Sequence, residues 1–184
     1  TFKPLEEIIK EKMGGKSVGE YAESLLPKAE ATHQSHWNHA NKGIDMALIT
    51  GGHTFNYHTM GPYSGSGFLT TVFNRVVPKD ELTPQAILEV RQQTMDLARK
   101  YQNQGQFTLG LYTSGDNVHI DFNMVLPSEA KALAVGRNMD QYAIGRIKKG
   151  SYEGDIPTGK PSDQPQRVVS LEEADQAIQS ALGE

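Results

Sequence analysis

Five of the chain's six histidines lie between positions 33 and 58: His33, His36, His39, His53 and His58. The sixth, His119, stands apart. Imidazole titrates near neutral pH and binds divalent metals, so proton transfer or metal chemistry would gather around such a cluster. The run His33-x-x-His36-x-x-His39 would put three rings on one broad helical face, successive rings about 60° apart. It lacks the glutamate and the i,i+4 spacing of the zinc-protease helix H-E-x-x-H, so a polar loop or surface helix accounts for it as well. His53 and His58 follow Gly51-Gly52 and precede a glycine-rich turn, Gly61-Pro62-Tyr63-Ser64-Gly65-Ser66-Gly67. In an extended chain their side chains point to opposite faces and would need a bend to converge. A loop tied down by histidine and tyrosine hydrogen bonds is the plainer reading. His119 and Asp121 are two residues apart in an alternating stretch, which would set them ~7 Å apart on one strand face. A carboxylate there can orient the ring and raise its basicity. The competing reading is an ordinary solvated face of an antiparallel sheet.

If these residues form one site, His53, His58 and His119 supply imidazole and Asp121 a carboxylate, at the junction of loop 51–67 with the polar face of 118–126. A hydrolytic metal site needs three such ligands and an open position. The metal and any cofactor are unknown from sequence. The glycine-rich turn is not a phosphate loop of the Walker type, since no Gly-Lys-Ser/Thr follows it. Phe68-Leu69-Thr70 after it reads as a strand, which rules out a dinucleotide fingerprint. Ser64 has no G-x-S-x-G frame.

Composition narrows the classes. There is no cysteine, so disulfides, thiolate metal sites and a cysteine nucleophile are excluded. Hydrophobic residues make up 37% and charged residues 22% of the 184. No apolar run approaches the ~20 residues of a membrane helix, and no membrane association is expected. The net charge of −4 is uneven. Residues 150–184 hold Lys160 and Arg167 against seven acidic groups, while 1–149 are close to neutral. Neither part has the basic stripe of a nucleic-acid binder, so nucleic acid is not an expected partner.

The elements that would position these residues follow from capping and periodicity. Residues 4–13 predict a short helix, and the Ser17–Glu20 capping box predicts a second from Val18 to Leu26, stopped by Pro27. Residues 28–45 tolerate helix without a clean apolar stripe. Met46-Ala47-Leu48-Ile49 predicts a short buried strand, and 68–77 a longer one. Thr83-Pro84 opens a helix whose Ile87, Val90, Thr94, Leu97 and Tyr101 repeat at 3,4 spacing. Phe107–Tyr112 and Val118–Leu126 flank a turn and predict a hairpin. A helix capped by Ser128 and a strand at 142–147 follow. Residues 150–168, with Pro157, Pro161 and Pro165, predict an extended arm. Ser170-x-x-Glu173 opens a last helix.

The order of elements in Asn117–Ile147 has a parallel. A hairpin strand leads into Glu129-Ala130-Lys131-Ala132-Leu133-Ala134-Val135-Gly136-Arg137 and then Gln141-Tyr142-Ala143-Ile144. This resembles the C-terminal part of small α+β domains in phage and mobile-element proteins, including the polyvalent proteins that phages package and inject. The resemblance implies a helix-and-strand packing pattern and carries over no catalytic residue. Leu182-Gly183-Glu184 resembles the Leu-x-Glu site of phage head-maturation proteases. Together with Thr1, it leads to the expectation of a processed virion protein.

The expected architecture is α+β: an antiparallel or mixed sheet of four or five strands packed on two helices. Residues 1–149 form the domain, with an N-terminal helical segment; 150–184 form an acidic arm and terminal helix. The expected function is a non-enzymatic binding or structural module of a phage or mobile element, located in the virion or host cytoplasm. Its partner is a protein or another copy of itself, met by the apolar stripe Leu171, Ala174, Ile178 and Leu182. The alternative is a hydrolase or nuclease using His53, His58, His119 and Asp121.

Overall fold

The structure, a computed structural model, describes residues 11–183. Residues 11–13 are helical; the rest of the helix expected at 4–13 lies outside the described residues. The long helix α1 (Val18–Thr50) opens on the Ser17–Glu20 capping box and ends at Gly51, in the left-handed conformation. It runs through Pro27, where a break was expected. Residues 28–42 hold no Gly or Pro to interrupt the helix, and a narrow stripe, Ala40, Gly43, Ile44 and Ala47, is buried. A Cβ on Gly43 would lie 2.2 Å from the Phe55 ring, so only glycine lets α1 approach the sheet there. The strand expected at 46–49 is the last turn of this helix. Of its four residues only Ala47 is buried, and Ile49 is 80% exposed.

One sheet of six strands follows: β1 (Gly52–Asn56), β2 (Gly67–Pro78), β3 (Gln106–Ser114), β4 (Asn117–Leu126), β5 (Ala143–Lys148) and β6 (Ser151–Pro157). The spatial order is β1-β3-β4-β2-β5-β6, and every pairing is antiparallel. The count exceeds the expected four or five because β1 and β6 add an edge on each side. Residues 151–157, expected to be part of an arm, form β6; irregular chain begins at Thr158. Pro157 ends the strand rather than forbidding it.

β2 carries a bulge between Thr71 and Phe73. Thr71 pairs with Asn123 and Phe73 with Phe122, leaving Val72 as the extra residue. Leu69 and Thr71 before the bulge share a face with Asn74 and Val76 after it.

The four helices from Val18 onward cover the same face. α1 lies on β1 and β3; α2 (Pro84–Lys100) packs beside it over β4; α3 (Glu129–Asn138) covers β2 and β5; α4 (Leu171–Leu182) lies against α3. The core between helices and sheet contains the expected stripes: Val118, Ile120, Phe122 and Met124 from β4, and Ile87, Val90, Leu97 and Tyr101 from the second helix and its end. The stripe of the last helix is seated in this same core. Ala174 and Ile178 are fully buried, and Leu171 and Leu182 pack against them. Its place is on this chain's own body, where burial of the apolar face supplies the stability that a 12-residue helix lacks alone. Among the described residues, no helix is long and apolar enough to cross a membrane.

Candidate functional site

The opposite face of the sheet is uncovered by helices and holds a cavity of about 810 Å³. Thr54 on edge strand β1 and Tyr152 on the far edge strand β6 both line it. Six flat strands would separate those edges by roughly 24 Å, so the sheet must curl around the cavity. The Gly61–Gly67 loop closes one end. Tyr63 N–H donates to Thr54 O at 3.0 Å, the Tyr63 hydroxyl to Gln106 Oε1 at 2.6 Å, and Gly150 N–H to Gly65 O at 2.9 Å. Tyr63, Val125 and Ile147, with Leu69, form a small apolar cluster there. The turn is thus a wall of the cavity. The 158–168 arm passes the mouth, where Gln166 reaches the lining and the Gln164 carbonyl accepts from the Tyr142 hydroxyl.

The floor comes from β2, β3 and β4. Alternation on β4 sends His119, Asp121 and Asn123 to this face, and the bulge in β2 sets Asn74 beside the first two. Asn74 Nδ2 donates to His119 Nδ1 at 3.2 Å and to Asp121 Oδ1. With the amide so oriented, the proton of a neutral His119 sits on Nε2. The His119 ring stacks on Tyr112, centroids 4.2 Å apart and planes 9° from parallel. Burial lowers the His119 pKa from its ordinary value. Deeper in the floor, the Thr71 hydroxyl donates to Asn123 Oδ1 at 2.8 Å, and Asn123 Nδ2 donates to the Thr108 hydroxyl at 3.3 Å.

Asp121 is the exceptional group. It is 9% exposed, and burial pushes its pKa up to about 6 against the lowering effect of the Asn74 hydrogen bond. Among the described residues, no cationic side chain contributes to its environment. Opposite it on β3 is Gly110, where a Cβ would come within 3.1 Å of the Asn123 amide nitrogen; glycine here keeps the space above the floor open.

Of the four residues expected to form a site, Asp121 and His53 line the cavity, His119 stands beside Asp121 on the same sheet face outside the lining, and His58 does not join them. His53 pairs with Leu111, and both reach the cavity lining at the β1 edge, but the His53 ring turns toward the helix-covered side. It packs edge-on against Phe55 at 4.6 Å, and burial lowers its pKa. His58 lies in the turn after β1, where its carbonyl accepts from His36 Nε2 at 3.0 Å. His39 Nδ1 donates likewise to Thr59 O at 3.0 Å. The H-x2-H-x2-H run is thus a helical row in which His36 and His39 hold the 57–61 turn onto α1. His33 packs 6.0 Å from Trp37. Among the described residues, no three His, Asp or Glu side chains converge to hold a metal ion.

Sequence reasoning passed over Asn74, Asn123 and Gly110, and the four tyrosines around the cavity: Tyr63, Tyr112, Tyr142 and Tyr152. The signal for Asn123 was present, since it continues the His119–Asp121 alternation. Asn74 became visible only with the bulge. No protein-family model, curated protein or solved structure matches this chain.

Proposed function

We propose that this chain is a non-enzymatic binding module whose recognition site is the curled open face of the sheet, and that its partner is a protein. The observation that carries this reading is Asp121. A nearly buried carboxyl lines an open cavity, and among the described residues only one of its oxygens is hydrogen-bonded by another side chain. No fully buried polar side-chain atom lacks a partner among the described residues, so the second oxygen is open to the cavity, and a nearly buried charge without its counterpart is costly. A cavity of this size with a few placed polar groups and aromatic walls has the character of a ligand site. The stripe Leu171, Ala174, Ile178 and Leu182 is occupied by the chain's own core, which leaves the open face as the surface for a partner. Assignment to a phage or mobile element, in a virion or host cytoplasm, draws on the resemblance of 117–147, which spans β4, α3 and most of β5.

Capped dipeptides of varied side-chain chemistry, titrated into isotope-labelled protein, test the reading. Binders are expected to shift the amide resonances of Gly110, Tyr112, Asn123 and Gly145. Shifts confined to the helices, or none from any dipeptide, would overturn it.

A second reading, general acid–base catalysis by a hydrolase, draws on Asp121 titrating near neutrality beside His119. Turnover of an ester panel that is lost in Asp121→Asn would favour it. A nuclease is less well supported, because no Lys or Arg lines the cavity among the described residues.

A further inference from the structure

We propose that the group bound in this cavity is an organic cation, an amine or guanidinium on an apolar stem, with Asp121 as its counter-ion. This rests on the open face being the recognition site, and it adds the chemistry of the occupant.

Three independent observations converge on it. First, the carboxyl of Asp121 has an oxygen with no hydrogen-bond donor and no positive charge near it among the described residues. An incoming ammonium or guanidinium supplies both at once, through charge-assisted hydrogen bonds that are stronger than neutral ones. Secondly, among the described residues the acids Asp121 and Asp155 line the cavity and no Lys or Arg does, while burial lowers the pKa of the one lining imidazole, His53, and so favours its neutral form. An anion would meet repulsion and find no partner. Thirdly, Tyr63, Tyr112, Tyr142 and Tyr152 surround the space, and aromatic faces attract cations as well as apolar stems. Tyr152 is 58% exposed at the rim, with its hydroxyl donating to Asp155. An apolar stem has its own contact in the cluster of Tyr63, Val125, Ile147 and Leu69 at the closed end. The floor amides and hydroxyls are occupied with one another, so Asp121 is the group left to receive a donor.

The cation has two sources with shared chemistry: a free amine, or an arginine or lysine side chain presented by a partner protein. Binding of a cation favours the ionised carboxyl, which burial holds partly protonated near pH 6. Affinity should therefore fall with acid, by about tenfold per pH unit below that point.

Calorimetry and amide shifts would be recorded on the full chain with agmatine, benzylamine and a capped Gly-Arg-Gly peptide. Benzyl alcohol and benzoate serve as neutral and anionic controls. The cations are expected to bind at pH 7.5 and shift the open-face amides. Affinity should drop at least tenfold in Asp121→Asn and about tenfold at pH 5, with the controls weaker throughout. Tyr152→Ala, at an exposed position, should weaken the cations a few-fold without moving the melting curve. A tenfold preference for the peptide over agmatine would identify a partner's side chain, and the reverse a free amine. Equal cation binding by wild type and Asp121→Asn, or controls binding as tightly as cations, would overturn the proposal. If those controls still shift the open face, the recognition-site reading survives alone. If neither these probes nor any dipeptide shifts that face, both fail.

Discussion

Tyr57 and Arg91 hold each other's backbones. The Tyr57 hydroxyl donates to the Arg91 carbonyl at 2.7 Å, and Arg91 Nε donates to the Tyr57 carbonyl, also at 2.7 Å. The guanidinium carbon lies 5.3 Å from the centre of the tyrosine ring. This reciprocal clamp fixes the turn after β1 to α2, and the His36 and His39 contacts fix it to α1. The cavity wall that follows at Gly61–Gly67 starts from an anchored point.

Tyr57→Phe should cost about 1 kcal/mol in a urea titration, because it removes one hydrogen bond to the Arg91 carbonyl, which keeps the Thr94 hydroxyl at 3.2 Å, while the ring stays. Thr94, which also meets the hydroxyl, retains its bond to Val90 O at 2.8 Å. An unchanged midpoint would mean that water replaces the hydroxyl and the clamp contributes nothing.

Phe122 is fully buried and stacks on Phe107, with ring centroids 5.1 Å apart, directly beneath the floor of the site. Phe122→Ala should cost about 3–5 kcal/mol, from lost burial plus the cavity left behind. A loss under about 1 kcal/mol would mean that the core collapses into the gap.

Asp121 should make stability depend on pH. Its folded pKa is raised from 3.8 to about 6, so its contribution is fully present below the unfolded value and is lost as pH rises through about 6. Asp121→Asn should therefore be more stable than wild type at pH 7, by roughly 3 kcal/mol, and about equal to it at pH 3. His36, His53 and His119, all lowered by burial, act in the other direction: their contribution is present above the unfolded histidine value and lost as pH falls through their folded values. The difference between wild type and variant across pH isolates the carboxyl. A constant difference would show that the Asp121 carboxyl has the same pKa folded and unfolded and is not raised by burial.

Asp140, at φ +59°, ties down both ends of the arm. It accepts from Lys160 Nζ at 2.7 Å and from Arg167 N–H at 2.8 Å, contacts that hold its pKa below the ordinary value. Asp140→Ala should loosen the backbone around the already exposed Arg167–Val168 bond and speed trypsin cleavage there by about tenfold, since local opening governs access. Cleavage at the wild-type rate would place the restraint elsewhere, in the Thr158 and Tyr142 contacts.

Much of the framework is legible before any coordinates. Thr83-Pro84 starts α2, its 3,4 spacing buries the expected stripe, and the 118–126 alternation separates core from open face, because local caps and periodicity decide those elements. α1 is not legible for a physical reason: it packs with Ala40, Gly43 and Ala47, small residues that leave no apolar stripe, while the conspicuous Leu48 and Ile49 face outward. β1 and β6 are short edge strands, weak in pattern and stabilised by pairing. The site is legible in type and region, through His119, Asp121 and loop 51–67, but not in membership. His53 reaches the lining while strand register turns its ring toward Phe55, and the tyrosines come from segments ~90 residues apart that only a curled sheet unites.

The bulge in β2 amounts to a parity switch. Up to Thr71 the odd-numbered positions stand on the open face; beyond Val72 the even-numbered ones do. One surplus residue thus decides that Asn74, not Phe73, stands beside Asp121. The strand has slack of one unit: shortening it at Val72 would restore a regular ladder with Thr71 and Asn74 still on the same face. The same loss on the far side of Asn74 would exchange inside for outside through the rest of the strand.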